Sequence, residues 1–511
     1  MKNRLIHKKL LHRPILLRVL FLCCVFHLLA FPVPAQDKQE QLTPISLDET
    51  IRMARERSRE ALAARHRFRS SYWSFRTYRA TYLPKLNLES TLPNLQRAIT
   101  KYTLPDGEEA FIERSYISYA ADLSLSKKVG ALGGTLSLRS SLQRIDNFND
   151  SMTTAWLSDP LTIGYTQPLF TYNAWKWDSK IAPLRFAEAR KRYIQDLEDV
   201  SLKAIGHFFS LLQSEIRLKI ARTNEANYDT LYRIATGRFN LGKIAENELL
   251  QLELSLLRAR SELEQAVLDQ EINMFRLRSF LRMPEEARLF PVLPEAPPQS
   301  ALGVEEAIAA ARENRPEALA MERQLLESES AYDQARANSR LNAQLFALYG
   351  LTQRSDQLRE AYRNPQDQQQ INVGIQLPII DWGLARGQIR MAESDLELTR
   401  IGVEQQRIDF DQDVYLQVMR YAMMDNQFRI AGKADTVASK RFEVTKQRYL
   451  IGRISITDLN IAQTESDNAG MGYADALRQY WYNYFELRRL TLMDPAKREP
   501  LQADFESLMQ R

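Results

Sequence analysis

Leu161-Thr-Ile-Gly-Tyr-Thr-Gln-Pro-Leu-Phe170 and Ile371-Asn-Val-Gly-Ile-Gln-Leu-Pro-Ile-Ile380 are one segment written twice, 210 residues apart. Gly164 aligns with Gly374 and Pro168 with Pro378. Apolar and polar or small residues alternate in both: Ile163 and Tyr165 against Thr162, Gly164 and Thr166; Ile371, Val373, Ile375 and Leu377 against Asn372, Gly374 and Gln376. Period two with one apolar face predicts a strand. The proline removes an amide from the ladder and ends it. Thr171 and Asp381 then stand where a following helix needs an N-cap. The unit is a strand-to-helix switch, marked by Pro168 and Thr171 in the first copy and by Pro378, Asp381 and Gly383 in the second.

The repeat extends outward from this segment. Arg238-Phe239-x-Leu241-Gly242-Lys243-Ile244 matches Arg448-Tyr449-x-Ile451-Gly452-Arg453-Ile454, and Phe275-x-Leu277-Arg278 matches Phe485-x-Leu487-Arg488, at the same offset. Upstream, Glu60-Ala61-Leu62 matches Glu317-Ala318-Leu319, and Arg79-Ala80 matches Arg336-Ala337, at an offset of 257. The two offsets differ by 47 residues, which places an insertion in the first half, within about residues 89–161. It carries Leu104-Pro105-Asp106-Gly107 and Gly130-x-x-Gly133-Gly134, both turn chemistry, and reads as an enlarged loop or hairpin. The first repeat therefore runs over residues 36–290 and the second over 301–494. A proline-rich linker at 291–300 joins them and a tail follows at 495–511. Each repeat reads short helix, strand pair, long helix, turn, long helix.

Two further stretches alternate: Tyr119, Ala121, Leu123 and Leu125; and, more weakly, Leu345, Ala347, Tyr349 and Leu351. In a membrane barrel the apolar face meets lipid and the other meets the lumen. A half-buried strand of a soluble sheet has the same pattern. About four such strands cannot close a barrel alone, so a membrane-spanning chain of this kind shares its barrel among copies.

Leu197, Ala204, Leu211 and Leu218 fall seven residues apart. A heptad ladder follows from Leu249 through Leu252, Leu256, Ala259, Leu263 and Ala266 to Leu277 and Phe280, and recurs in register from Leu459 to Leu490. Helices of about 60 and 40 residues would span roughly 90 and 60 Å.

Composition narrows the function. Lys2, Arg4, Lys8, Lys9, Arg13 and Arg18 precede an apolar run that ends in Val33-Pro34-Ala35, the pattern of a signal peptide over residues 1–35. Without that leader the net charge of +5 becomes −1, so nucleic-acid binding loses its support. Cys23 and Cys24 leave with it, and only His66 and His207 remain among the histidines. No metal-ligand cluster, phosphate-cradling loop or nucleophile elbow is present, so no cofactor and no enzyme activity is expected. A periplasmic coiled-coil adaptor or scaffold is the alternative from another class.

The Pro-Leu-Phe and Pro-Ile-Ile-Asp-Trp-Gly segments, together with the paired Arg-Phe-x-x-Gly and Arg-Tyr-x-x-Gly turns, resemble TolC-type outer-membrane factors over about Ser46 to Asp494. The resemblance implies a mainly α fold with membrane β: a homotrimer with a shared twelve-stranded barrel in the outer membrane of a diderm bacterium, continued by a long periplasmic α-helical tunnel. It implies a passive conduit for efflux or type I secretion, coupled through a periplasmic adaptor to an inner-membrane pump of the resistance-nodulation-division, ABC or major facilitator type. Leu241, Gly242, Lys243, Ile451, Gly452 and Arg453 correspond to hairpin tips that dock the adaptor. Asp458, with Glu248, Asn247 and Arg453, corresponds to the entrance gate, where Asp458 copies would form a negative ring. Ile454 and Ile461 stand where the family carries a gating arginine and a second aspartate. The cargo stays open among drugs, metals and proteins.

Overall fold

The computed structural model describes residues 42–148, 152–299 and 302–509. The signal-peptide reading lies outside them. Strand β1 (Leu42–Ile45) leads into helices α1 (Leu47–Arg57) and α2 (Arg59–Thr81). Ser46 and Ser58 cap these helices by accepting the Glu49 and Ala61 amides. Four strands follow: β2 (Lys85–Thr103), β3 (Glu109–Val129), β4 (Gly134–Asn147) and β5 (Thr153–Leu169). Then come α3 (Ala174–Asn240), α4 (Glu246–Leu281) and β6 (Arg288–Pro291). The second half gives α5 (Val304–Asn314), α6 (Pro316–Asn338), β7 (Asn342–Ser355), a 3-10 turn (Glu360–Tyr362), β8 (Gln366–Gln376), α7 (Leu384–Leu450) and α8 (Ile456–Thr491). Strands β9 (Met493–Asp494) and β10 (Glu499–Pro500) and helix α9 (Phe505–Met509) finish the chain.

Corresponding helices have equal lengths: 11 residues in α1 and α5, 23 in α2 and α6, 67 in α3 and α7, 36 in α4 and α8. The long helices exceed the 60 residues expected and reach about 100 Å at ~1.5 Å per residue. Pro183 sits inside α3 without ending it. Among the described residues no helix is long and apolar enough to cross a membrane.

The six long strands form one antiparallel sheet in the order β2-β3-β4-β5-β7-β8. This corrects the expected strand count of about four. The insertion is an extra pair of full-length strand partners, and β2 and β5 are separated by them. The pairing register gathers the alternating apolar residues onto one side. Leu86 faces Leu125, which faces Leu138, which faces Ile163, which faces Tyr349. Leu345 and Ala347 face Val373 and Ile371. Most of these side chains are exposed, with Ile371 at 75% and Leu88 at 70%.

The core lies midway along the long helices. Ile205, Phe208, Phe209 and Leu211 of α3 are fully buried against Leu277 and Leu281 of α4, Leu477 and Leu487 of α8, and the short helices α1 and α5. The end of the first repeat and the linker contribute to this collar: β6 runs parallel to β1, and Tyr421 and Trp481 donate to the Pro298 and Glu295 carbonyls of the linker. The expected tail is also ordered, and Phe505 of α9 packs on Phe68 of α2.

Candidate functional site

Each long-helix pair ends in a tight turn far from the sheet. At the first tip the Gly242 amide donates to the Phe239 carbonyl at 2.8 Å and the Lys243 amide to that of Arg238 at 2.9 Å. At the second, Gly452 donates to Tyr449 at 2.9 Å and Arg453 to Arg448 at 3.0 Å. These paired bonds are Schellman caps, which turn the chain through a left-handed residue. Gly242 and Gly452 supply it, with φ of +68° and +73°. A Cβ at Gly452 would meet no neighbour within 4 Å, so only backbone conformation opposes one. Gly452→Ala is therefore expected to cost roughly 1–2 kcal/mol locally and to speed protease cleavage at residues 450–456. An unchanged cleavage rate would contradict this.

Past the turns the two tips differ. Ser455 accepts the Asp458 amide, and the Asp458 carboxylate accepts the Ser455 amide at 3.3 Å and its hydroxyl at 2.8 Å. This is a full capping box at the head of α8. Ala245 has no side chain to play the same part before Glu248. Asp458, Asn247 and Arg453 are exposed; Glu248 is half-buried and near enough to add to the upward push on the Tyr449 phenol, whose main cause is burial. Ile454 packs with Ile244 against a small core of Leu231, Ala235, Leu252, Tyr449, Ile456 and Leu459, which draws both tips together. Ile461 is exposed.

A row of polar links joins the two helix pairs above this core. Arg238 donates to the Leu450 carbonyl at 2.6 Å, Lys446 to Asn227 at 2.9 Å, Tyr228 to Asn460 at 2.9 Å, and Asn224 to Asp467 at 2.7 Å. Burial pushes the Tyr228 phenol up to about 12, with Asp467 and Glu262 adding to it. Burial also holds the Asp467 carboxyl above its usual range, against the pull of bonds from Asn224 and Gln463. Sequence reading missed this row. Its partners are over 200 residues apart, and no spacing rule connects them.

At the sheet end, the switches differ from expectation. Thr171 does not cap α3. Asn173 does, accepting the Trp175 amide at 3.0 Å while donating to the Gly130 carbonyl. Pro168 still lies in β5, opposite Gln344, so the chain leaves the sheet later than Thr171 requires. In the second half the cap position is Gly383, with φ +89°. The capping acceptor is nonetheless Asp381, which takes the Gly383 and Ala385 amides at 3.0 Å each. Those bonds, Ala385 first, hold its carboxyl below the ordinary carboxylate range. Pro378 follows the end of β8, and Ile379, Ile380 and Trp382 beside it are exposed, Trp382 almost fully.

No curated protein sequence matches the chain. Solved structures share its fold. The Campylobacter jejuni CmeC outer membrane channel superposes with a TM-score of 0.64 at 15% identity, over 91% of this chain and 88% of that one. VceC, an outer membrane protein of Vibrio cholerae, gives 0.61 at 12% identity over 89% and 97%. The open-state MtrE outer membrane channel of Neisseria gonorrhoeae gives 0.57 at 14% over 89% and 91%. The family model described as outer membrane efflux protein matches residues 121–281 and 307–491. With both helix pairs and most of the sheet inside those matches, the chain belongs to the outer membrane efflux protein family.

Proposed function

We propose that this outer-membrane efflux subunit works as a passive conduit and not as an enzyme, with three copies joining their sheets into one barrel and their helices into a periplasmic tunnel. The observation that carries this is the exposed apolar face running across the sheet to two edges, β2 and β8, that are unpaired among the described residues. Open edges and apolar walls are both costly in water, and lipid tolerates only a closed barrel. A coiled-coil scaffold would leave that face without a purpose. Energy comes from an inner-membrane pump, and the tips at Gly242 and Gly452 are the natural docking points for a periplasmic adaptor. The test is the mass of the particle extracted from outer membranes, corrected for bound detergent. A trimer confined to the detergent fraction supports the reading; a water-soluble monomer sinks it.

The polar row at the tips is the gate in this reading. Asn224→Ala combined with Tyr228→Phe removes two of its links, and each such bond contributes about 1 kcal/mol. Single-channel conductance in planar bilayers should rise several-fold, and equal conductance would remove the row from the gate. The sign of the pH effect follows from Asp467. Its carboxyl is raised in the packed state, so that state binds a proton more readily than an opened one. Acidification through that range favours closure, and the preference is lost as pH rises through it.

Asp458, with Glu248, supplies the negative ring at the entrance in the trimer. A ring of acidic side chains favours cations. Asp458→Asn keeps the size of the side chain and removes its charge. The expected result is a reversal potential shifted toward zero in a salt gradient. An unshifted potential would leave Asp458 with helix capping alone.

A further inference from the structure

We propose that the inserted hairpin, β3 with β4, crosses the outer membrane as part of the barrel wall. Each copy then supplies six strands, and three copies enclose eighteen instead of the twelve that the resemblance implied. The inference rests on the channel reading above.

Length permits it. β3 has 21 residues and β4 has 14, and a tilted membrane strand takes about 9–11. The face pattern favours it more strongly. Leu123 and Leu125 of β3, and Leu136 and Leu138 of β4, point to the exposed side. Pairing puts them level with Leu86 and Leu88 of β2 and with Ile163 and Tyr165 of β5. The row Leu86, Leu125, Leu138, Ile163 therefore crosses the insertion unbroken, while in the flanking rows Leu123 faces Ser140 and Leu136 faces Lys127. The opposite face of the same two strands carries Ser124, Ser126, Ser137 and Ser141, with Asp122 paired to Arg139 at 3.3 Å. A loop folded over a barrel mouth has no reason to keep this alternation in register with the wall.

The hairpin is also built into the rim. Its short turn is held by Asn173, which donates to the Gly130 carbonyl at 3.1 Å, and by Gln167, which donates to that of Leu132 at 2.7 Å. Trp175 lies so close to Gly130 that a Cβ there would come within 2.5 Å of the indole. The other end of β2 and β3 extends past the belt into charged pairs, Arg97 with Glu113 at 2.9 Å and Lys101 with Glu109, suited to the aqueous exterior. Among the described residues both outer edges of the sheet, β2 and β8, stay unpaired within one copy. The occupant of each edge is the opposite edge of a second copy, which closes the ring. Barrel diameter grows about linearly with strand number, so the wall is about 1.5-fold wider than a twelve-stranded one.

Single cysteines decide the matter in a chain whose Cys23 and Cys24 are replaced by serine. Outward positions are Leu123→Cys and Leu138→Cys; inward ones are Ser124→Cys and Ser137→Cys. Val373→Cys and Asn372→Cys on β8 report on the barrel itself. Each purified protein is labelled with an environment-sensitive thiol fluorophore and reconstituted in vesicles with or without brominated phospholipid. A charged water-soluble maleimide is applied in parallel. Quenching at 123, 138 and 373, with maleimide reaction at 124, 137 and 372, is the expected result. If 373 and 372 behave so while 123 and 138 stay unquenched and react with maleimide, the hairpin lies outside the wall and the proposal falls while the channel stands. If 373 is also unquenched, the barrel reading falls with it. A second variant deletes residues 105–147, joining β2 to β5 as β7 joins β8. By electron microscopy its barrel should be about one third narrower with the helical tunnel unchanged, and an unchanged width overturns the proposal. Should the deletion fail to assemble, the labelling pattern decides.

Discussion

Glu198→Ala is expected to lower the unfolding stability of the helical collar by about 3–5 kcal/mol. Glu198 is 2% exposed. Its carboxylate takes Arg55 of α1 at 2.6 Å and Arg488 of α8 at 3.2 Å, and Arg488 also reaches Asp494 at 3.0 Å. Arg55 donates further to Ser201 at 2.7 Å. Burial works against the Arg488 charge, but Glu198 and Asp494 outweigh it and raise its pKa. The alanine variant leaves that guanidinium buried with half its compensation. The cost comes mainly from the stranded charge, and less from the lost attraction. Two comparisons separate these. Glu198→Gln keeps an acceptor and should cost less than alanine. Glu198→Met with Arg488→Met removes both of these charges at similar volume and should recover part of the loss, because Arg55 keeps Ser201 and Asp494 keeps the Tyr484 hydroxyl and the Ala496 and Lys497 amides. The reading is chemical denaturation in detergent, followed by far-ultraviolet circular dichroism. A double variant no more stable than Glu198→Ala would show that the pair is needed for itself.

Val373→Arg should cost about 2–4 kcal/mol per copy, the range for an arginine on the lipid face midway across a bilayer, enough to remove the proposed trimer from the outer-membrane fraction. Val373 is 61% exposed on the apolar face, between Ile371 and Ile375. Asn372→Arg, one residue away, faces the other side, which meets water in the lumen of the proposed barrel. It should assemble normally and change ion selectivity. The contrast matters because the two substitutions add the same group to the same strand. Their difference reads the environment and not arginine's effect on β8. Membrane fractionation with semi-native gel electrophoresis makes the comparison. Equal assembly of both variants would contradict a lipid-facing belt.

Much of this architecture was legible before the fold was known. Alternation at 371–377 marked a two-faced strand, heptads from Leu249 and Leu459 marked packed helices, and Gly242 and Gly452 marked the turns. Each is a short-range property, set by where side chains point every second or every seventh residue. Tertiary structure decided which elements meet. Pairing order inserted β3 and β4 between β2 and β5, making six strands where four were expected. Thr171 looked like a cap, yet β5 stays paired to Leu169 and the helix starts only at Ala174, which leaves Asn173 to serve. The Asn224–Asp467 and Tyr228–Asn460 links and the Glu198 cluster were hidden for a common reason. A chain with 69 basic and 64 acidic residues offers far too many possible pairs to choose among by spacing. Only packing of helices remote in sequence selects the few that are buried, because burial is what makes a polar partner obligatory.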